Sequence, residues 1–290
     1  MKRILFPTEF SDHAPEIFQY AVTIANRFNA KLIMMSAYGS PDLDFSSPFE
    51  VEKKANELTD RMIDFVTEYI PDEIQLELKI DYIVKNGKAS DAILEVEKEE
   101  KIDLIVMGMT GKRNALNTSF GSTTLDVMDR SDSRVLVVPA TATFKGILNM
   151  VYTTNFEFRD LAAINYLKKW SKAFGADVYC LHVVEDKDNG LKAIKNMNVL
   201  RKTYKSFKTL GFDMVYGQLK KEVEKYSKEI EADIVVMMTH KRSLVARVIE
   251  PGVVNGIASR IHIPVLVMKD NTYEMDAQLE GWLDLVNSIA

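Results

Sequence analysis

Ile4-Leu5-Phe6-Pro7-Thr8-Glu9-Phe10 returns later in the chain as Met150-Val151-Tyr152-Thr153-Thr154-Asn155-Phe156. Working outward, Ala30-Lys31-Leu32-Ile33-Met34-Met35-Ser36-Ala37 returns as Ala176-Asp177-Val178-Tyr179-Cys180-Leu181-His182-Val183, at the same offset. Asp103-Leu104-Ile105-Val106-Met107 returns as Asp233-Ile234-Val235-Val236-Met237, and Arg134-Val135-Leu136-Val137 as Pro264-Val265-Leu266-Val267, both at a smaller offset. Four apolar segments in one order, met twice, mark an internal repeat. The change of offset makes the second copy shorter between its second and third strands. There the first copy carries Ser40-Pro41-Asp42 and Ser46-Ser47-Pro48, a loop composition that predicts an extra loop.

Within each copy, short β-branched runs alternate with amphipathic stretches, which predicts parallel strands covered by helices. The expected fold is α/β: two tandem doubly wound, Rossmann-like domains, each a parallel five-stranded sheet with helices on both faces. The expected boundaries are 1–143, 144–270 and a C-terminal amphipathic helix at 271–290. Ile17, Phe18, Ala21, Ile24, Ala25 and Phe28 form the apolar stripe of a first helix, with Ser11 or Asp12 as N-cap and Pro15 in the first turn. Leu161, Ile164, Leu167, Trp170 and Phe174 repeat that stripe. Further on, 49–70 reads as a second helix, 74–84 as a third strand and 89–101 as a third helix. The fourth strand ends at Met107.

Directly after that strand come Gly108-Met109-Thr110-Gly111, then Gly121-Ser122-Thr123-Thr124 at the start of a helix running to about Arg130. In a parallel sheet the ligand crevice lies beyond the carboxyl ends of the strands. Glycines there let backbone N–H groups approach phosphate oxygens, and a helix N-terminus adds unpaired donors and a favourable dipole. The spacing of Gly108, Gly111, Gly121 and Ser122 resembles the nucleotide motif of the universal stress proteins. So does the opening Ile4-Leu5-Phe6-Pro7-Thr8-Glu9-Phe10-Ser11, with Glu9 where the family usually has Asp. The resemblance spans both copies and leaves only the tail outside it.

That resemblance implies an ATP-binding site, with AMP or ADP as variants and Mg2+ as a candidate companion of the nucleotide. Thr8 and Glu9 fall on the ribose and adenine side, and Ala37 beside the adenine. Gly108, Gly111, Gly121, Ser122 and Thr123 fall at the phosphates. It also implies an intrachain pseudo-dimer through the last strands, 134–138 and 264–268, with a homodimer of whole chains and a protein partner left open. In the second copy the matching loop reads Met238-Thr239-His240-Lys241-Arg242, without either glycine, and Thr153 and Asn155 replace Pro7 and Glu9. That copy is expected to have lost the nucleotide, although its basic residues leave another anion open.

Three function classes follow: a stress-response protein holding adenine nucleotide as a regulatory ligand, a slow ATPase or nucleotidyl-transferring enzyme, and a ligand-free dimerisation scaffold. The enzyme would need a metal-holding carboxylate, for which Glu9 and Asp126 are the candidates. No Ser/His/Asp, Cys/His or metal-ligand spacing is visible, so no catalytic residue and no protein metal site is expected. His182 reads as a packed, satisfied residue, Cys180 as buried and inert, and His13 as surface. A single cysteine among 290 residues rules out an intrachain disulfide framework and fits a reducing compartment. Met1 to Phe6 begins like a secretion signal, but Pro7, Glu9 and Asp12 interrupt it. A cytoplasmic protein is expected. With a net charge of -5 and Lys and Arg distributed along the chain, neither nucleic acid nor a membrane is an expected partner.

Overall fold

The computed structural model describes residues 1–39, 47–70, 77–109, 120–185, 190–239, 254, 256–257 and 261–269. The chain divides into two compact units, Met1–Phe144 and Lys145–Ala290. The tail at 271–290, expected as an amphipathic helix, lies outside the described residues.

The first unit runs β1 (Arg3–Pro7), α1 (Ala14–Phe28), β2 (Lys31–Tyr38), α2 (Pro48–Tyr69), β3 (Ile80–Asn86), α3 (Ala89–Glu99), β4 (Leu104–Gly108), α4 (Ser122–Arg130) and β5 (Arg134–Val138). All pairings are parallel, in the order β3-β2-β1-β4-β5. Chain order reverses between β1 and β4, which opens a crevice at their carboxyl ends. Phe18 of α1 stacks on both Phe6 of β1 and Phe65 of α2, so α1 and α2 share one face of the sheet. Helices α3 and α4 pack together. Right-handed crossovers place them on the opposite face. The second unit repeats the plan with β6 (Asn149–Thr153), α5 (Asp160–Phe174), β7 (Asp177–Val184), α6 (Gly190–Thr203), β8 (Leu210–Tyr216), α7 (Leu219–Glu229), β9 (Ile234–Thr239) and β10 (Val265–Lys269). Its parallel order is β10-β9-β6-β7-β8.

The repeat extends to backbone geometry. Positive φ angles recur at equivalent positions: Phe10 and Phe156 at 56° and 54°, Lys101 and Glu231 at 50° and 52°, Asn29 and Gly175 at 48° and 72°. Asp103 accepts hydrogen bonds from the amides of Lys2 and Arg3, and Asp233 from those of Leu148 and Asn149, at 2.7 and 2.9 Å for the second pair. Each carboxylate thereby fastens the start of its unit's central strand. Asp233→Ala is expected to cost about 1–2 kcal/mol of unfolding free energy, read from the urea midpoint of the full chain. No change would mean that water satisfies those amides equally well.

Four details depart from the sequence reading. The first helix is entered through His13, whose side chain makes no capping bond, while the Ala14 amide bonds to the Ser11 carbonyl at 2.9 Å. The left-handed turn at Phe10 and the missing donor of Pro15 let backbone contacts replace a side-chain cap. The third strand begins at Ile80 rather than at 74: Glu77 is helical, and pairing with β2 starts with Ile80 opposite Leu32. The third helix ends at Glu99, since Lys101 turns left-handed. Finally, the shortening of the second copy is not confined to a loop: α2 has 22 residues and its counterpart α6 has 14. Among the described residues no helix is long and apolar enough to cross a membrane.

Candidate functional site

The crevice at the switch point is shaped by two turns. After β1, the Thr8 amide still bonds to the Met35 carbonyl of β2 at 2.8 Å, and the Thr8 hydroxyl accepts from the Phe10 amide at 3.0 Å. That bond holds Phe10 left-handed and swings the chain into α1, leaving Glu9 exposed at the rim. After β4, the Met109 amide bonds to the Val138 carbonyl at 2.9 Å and the Gly121 amide to the Met109 carbonyl at 2.8 Å. The two ends of the intervening segment are thus held side by side. The buried Thr124 hydroxyl donates to the Gly108 carbonyl at 2.9 Å and seats the first turn of α4 over the end of β4.

These elements enclose a cleft of about 600 Å3. Thr8, Glu9 and Ser11 border one side, Ala37 and Gly108 lie at the strand ends, and Gly121, Ser122 and Thr123 border the other. Seven of the eight residues proposed from sequence therefore line one cleft; the eighth, Gly111, lies outside the described residues, as do Lys112 and Arg113. Sequence reasoning missed the apolar wall, which Met35, Met107, Ala14, Ala89 and Ile93 provide. It also missed the anchoring role of Thr124.

Gly121 is the N-cap of α4 and makes no side-chain capping bond. Helix geometry leaves the first-turn amides of Ser122, Thr123 and Thr124 without intrahelical acceptors, so this end of the cleft suits an anion. Asp126 takes no part in it. Its carboxylate accepts from Lys88 at 2.8 Å, Ser90 at 2.6 Å and Arg130 at 3.1 Å. The Lys88 and Ser90 bonds hold its pKa down to about 2. Of the two carboxylates considered for a metal, only Glu9 borders the cleft. Among the described residues no group of three or more His, Cys, Asp or Glu is placed to hold a metal ion.

The second unit carries different side chains at positions equivalent to the first unit's cleft lining. Asp160 stands where the first unit has Ala14, Tyr152 where it has Phe6, and Thr154 where it has Thr8. All three first-unit residues line the cleft. Asp160 is buried and accepts from the Tyr152 hydroxyl, from the Thr154 hydroxyl at 2.6 Å and from the Glu157 amide at 2.6 Å. Burial nevertheless raises its pKa to about 6, against the opposing pull of those bonds. His182 is buried too, with Nδ1 at 2.8 Å from the Thr154 carbonyl and its ring against Phe156; burial lowers its pKa. Cys180 is fully buried, and burial pushes its thiol pKa well up. Met238 replaces Gly108 at the end of β9. His240, Lys241 and Arg242 lie outside the described residues.

The model of the Universal stress protein family matches residues 1–139 and again 150–269. Universal stress protein MJ0577 of Methanocaldococcus jannaschii is 26% identical over 152 residues, which cover 47% of this chain and 94% of that protein. The crystal structure of a universal stress protein from Archaeoglobus fulgidus is similar over 92% of this chain and 96% of that one, with a TM-score of 0.68 and 16% identity. A putative universal stress protein from Pseudomonas aeruginosa covers 100% of this chain and 98% of its own, with a TM-score of 0.65 and 13% identity. At those identities the two structures speak for the fold alone.

Proposed function

The chain belongs to the universal stress protein family through both of its halves, and on that premise we propose that its first unit holds ATP or a related adenine nucleotide as a regulatory ligand. The observation that carries the reading is the convergence on one cleft of Thr8, Glu9, Ala37, Gly108, Gly121, Ser122 and Thr123. The apolar wall of Met35, Ala37 and Met107 suits a base, Thr8 and Glu9 suit a ribose edge, and the start of α4 suits phosphates. Engagement of Asp126 elsewhere leaves the cleft short of the acidic pair that phosphoryl transfer uses, so binding is favoured over turnover. Occupancy of the cleft would alter a surface that a partner reads.

The test is mass spectrometry of small molecules co-purifying with the full chain, followed by calorimetric titration with ATP, ADP and AMP. One adenine nucleotide per chain is expected. Two per chain would contradict the expected loss of nucleotide from the second unit, and no binding of any of the three would overturn the proposal.

A further inference from the structure

Averaged along the chain, the charges look evenly mixed; folded, they segregate by face and by unit. Helix α2 of the first unit carries Glu50, Glu52, Glu57, Asp60, Asp64 and Glu68 against Lys53, Lys54 and Arg61. One cation is drawn off by Glu57, which pairs with Lys54, while Arg61 stacks on Phe10. Its counterpart in the second unit, α6, carries Lys192, Lys195, Arg201 and Lys202 and no acid. Lys205 and Lys208 follow, and no acidic residue occurs between 190 and 212. Exposed Lys168, Lys169 and Lys172 of α5 adjoin this segment through the Tyr204 hydroxyl on the Leu161 carbonyl and the Ser171–Thr209 hydroxyl pair.

Both helix faces also expose large apolar side chains. Among the described residues, four of the six exposed large hydrophobics lie on these two helices: Phe49 (74%) and Ile63 (42%) on α2, Leu191 (76%) and Ile194 (38%) on α6. Phe49, Glu52, Asn56, Asp60 and Ile63 are all exposed and follow helical spacing, so they form one stripe. Leu191, Lys195, Asn198 and Lys202 form another. Phe49 and Leu191 are each the second residue of their helix, the same place in the repeat.

The ordinary reading of basic residues on a helix is complementation of its dipole. That accounts for Arg201 and Lys202 in the last turn of α6 but not for Lys192 and Lys195, which sit in the half where the dipole disfavours cations. Like charges on the two helices would repel, whereas the opposite charges they carry favour a contact between them. We propose that α2 of one copy docks against α6 of a second copy, with Phe49 and Ile63 meeting Leu191 and Ile194 inside a field of opposite charges. Each chain offers one acidic and one basic helix, so a second copy presents the complement of each.

The experiment is sedimentation of the full chain at about 20 mM and about 500 mM NaCl, which shortens electrostatic reach from roughly 20 Å to roughly 4 Å. Wild type should be dimeric at low salt and dissociate at high salt. A variant with α2 reversed (Glu52→Lys, Asp60→Lys, Asp64→Lys) and one with α6 reversed (Lys192→Glu, Lys195→Glu, Lys202→Glu) should each be monomeric at low salt. All six positions are exposed, so both variants should retain the wild-type circular dichroism spectrum. An equimolar mixture of the two should restore the dimer, because each reversed face then meets its complement. A monomeric wild type at low salt, variants that associate as wild type does, or a mixture that stays monomeric would each overturn the proposal. Binding of a monomeric wild type to anionic vesicles or to duplex DNA, lost on reversal of α6, would assign the basic face to that partner instead.

Discussion

Asp160→Ala is expected to lower the stability of the second unit by on the order of 3–5 kcal/mol, although the same position in the first unit is naturally alanine. The difference lies in what surrounds it. Asp160 satisfies three donors at once: the Tyr152 hydroxyl, the Thr154 hydroxyl and the Glu157 amide. The two hydroxyls are buried and the amide is half-buried, and a buried donor left unpaired costs about 1–3 kcal/mol. In the first unit Phe6 replaces Tyr152, so Ala14 faces no tyrosine hydroxyl that needs a partner. Adding Tyr152→Phe to Asp160→Ala should therefore recover part of the loss. Urea unfolding followed by the fluorescence of Trp170, buried in that unit, reads both variants. If Asp160→Ala matched wild type, the carboxylate would not be what satisfies those donors.

The same group sets a pH dependence whose sign is opposite to that of its neighbour. Burial raises the folded pKa of Asp160 from 3.8 to about 6, so the folded state takes up its proton first as pH falls. That contribution stabilises the unit progressively between about pH 6 and pH 4, by on the order of 3 kcal/mol when complete. His182 behaves in the reverse way. Burial lowers its folded pKa below 6.5, so the unfolded state takes up the proton first and stability is lost as pH falls past 6.5. Thr154 links the pair, bonding Asp160 through its hydroxyl and His182 through its carbonyl. In wild type the two contributions oppose each other as pH falls below 6.5. His182→Gln should grow more stable on acidification and Asp160→Asn less stable. Parallel curves for all three proteins would show that neither group titrates in the folded unit as its burial implies.

How much of this was legible in the chain depended on whether the relevant physics was local. The repeat was legible because strand cores must be apolar runs, and those runs recur residue for residue from Ile4 and Met150 onward. Gly108, Gly121 and Ser122 stand out in sequence because bare backbone at a strand end and a helix start selects residue types at fixed places, and all three line the cleft. Met35, Met107 and Ile93 were not, since an apolar side chain facing a cleft is indistinguishable in sequence from one facing a core. The start of β3 was hidden for a related reason: residues 77–79 alternate like a strand, yet Glu77 is helical and pairing with β2 begins only at Ile80. Asp160 is not marked out in the sequence, because only folding brings the Tyr152 and Thr154 hydroxyls to it. The opposite charges of α2 and α6 were blurred by averaging along the chain, because a face exists only once the helix has formed.

Gly121→Val is expected to weaken ATP binding by about 100-fold or more while leaving the first unit folded. The backbone permits the change: Gly121 has φ -66° and ψ 157°, open to any L-residue, and its amide bond to Met109 needs no side chain. The structural cost is confined to a poorer N-cap, about 1 kcal/mol. The binding cost is larger, because a branched side chain would stand beside the amides of Ser122 and Thr123 at the rim of the cleft. Hydrogen bonds to a charged group contribute about 1.5–3 kcal/mol each, so losing one or two accounts for the expected factor. Adenosine, which has no phosphate to be excluded, should bind wild type and variant with similar affinity. Calorimetric titration with ATP and adenosine therefore separates loss of the phosphate seat from general damage. ATP affinity within about threefold of wild type, in a variant whose unfolding midpoint is intact, would remove Gly121 from the phosphate seat. Gly121→Ala, which adds a single methyl group, should fall between the two, and that gradation would identify backbone approach as the cause.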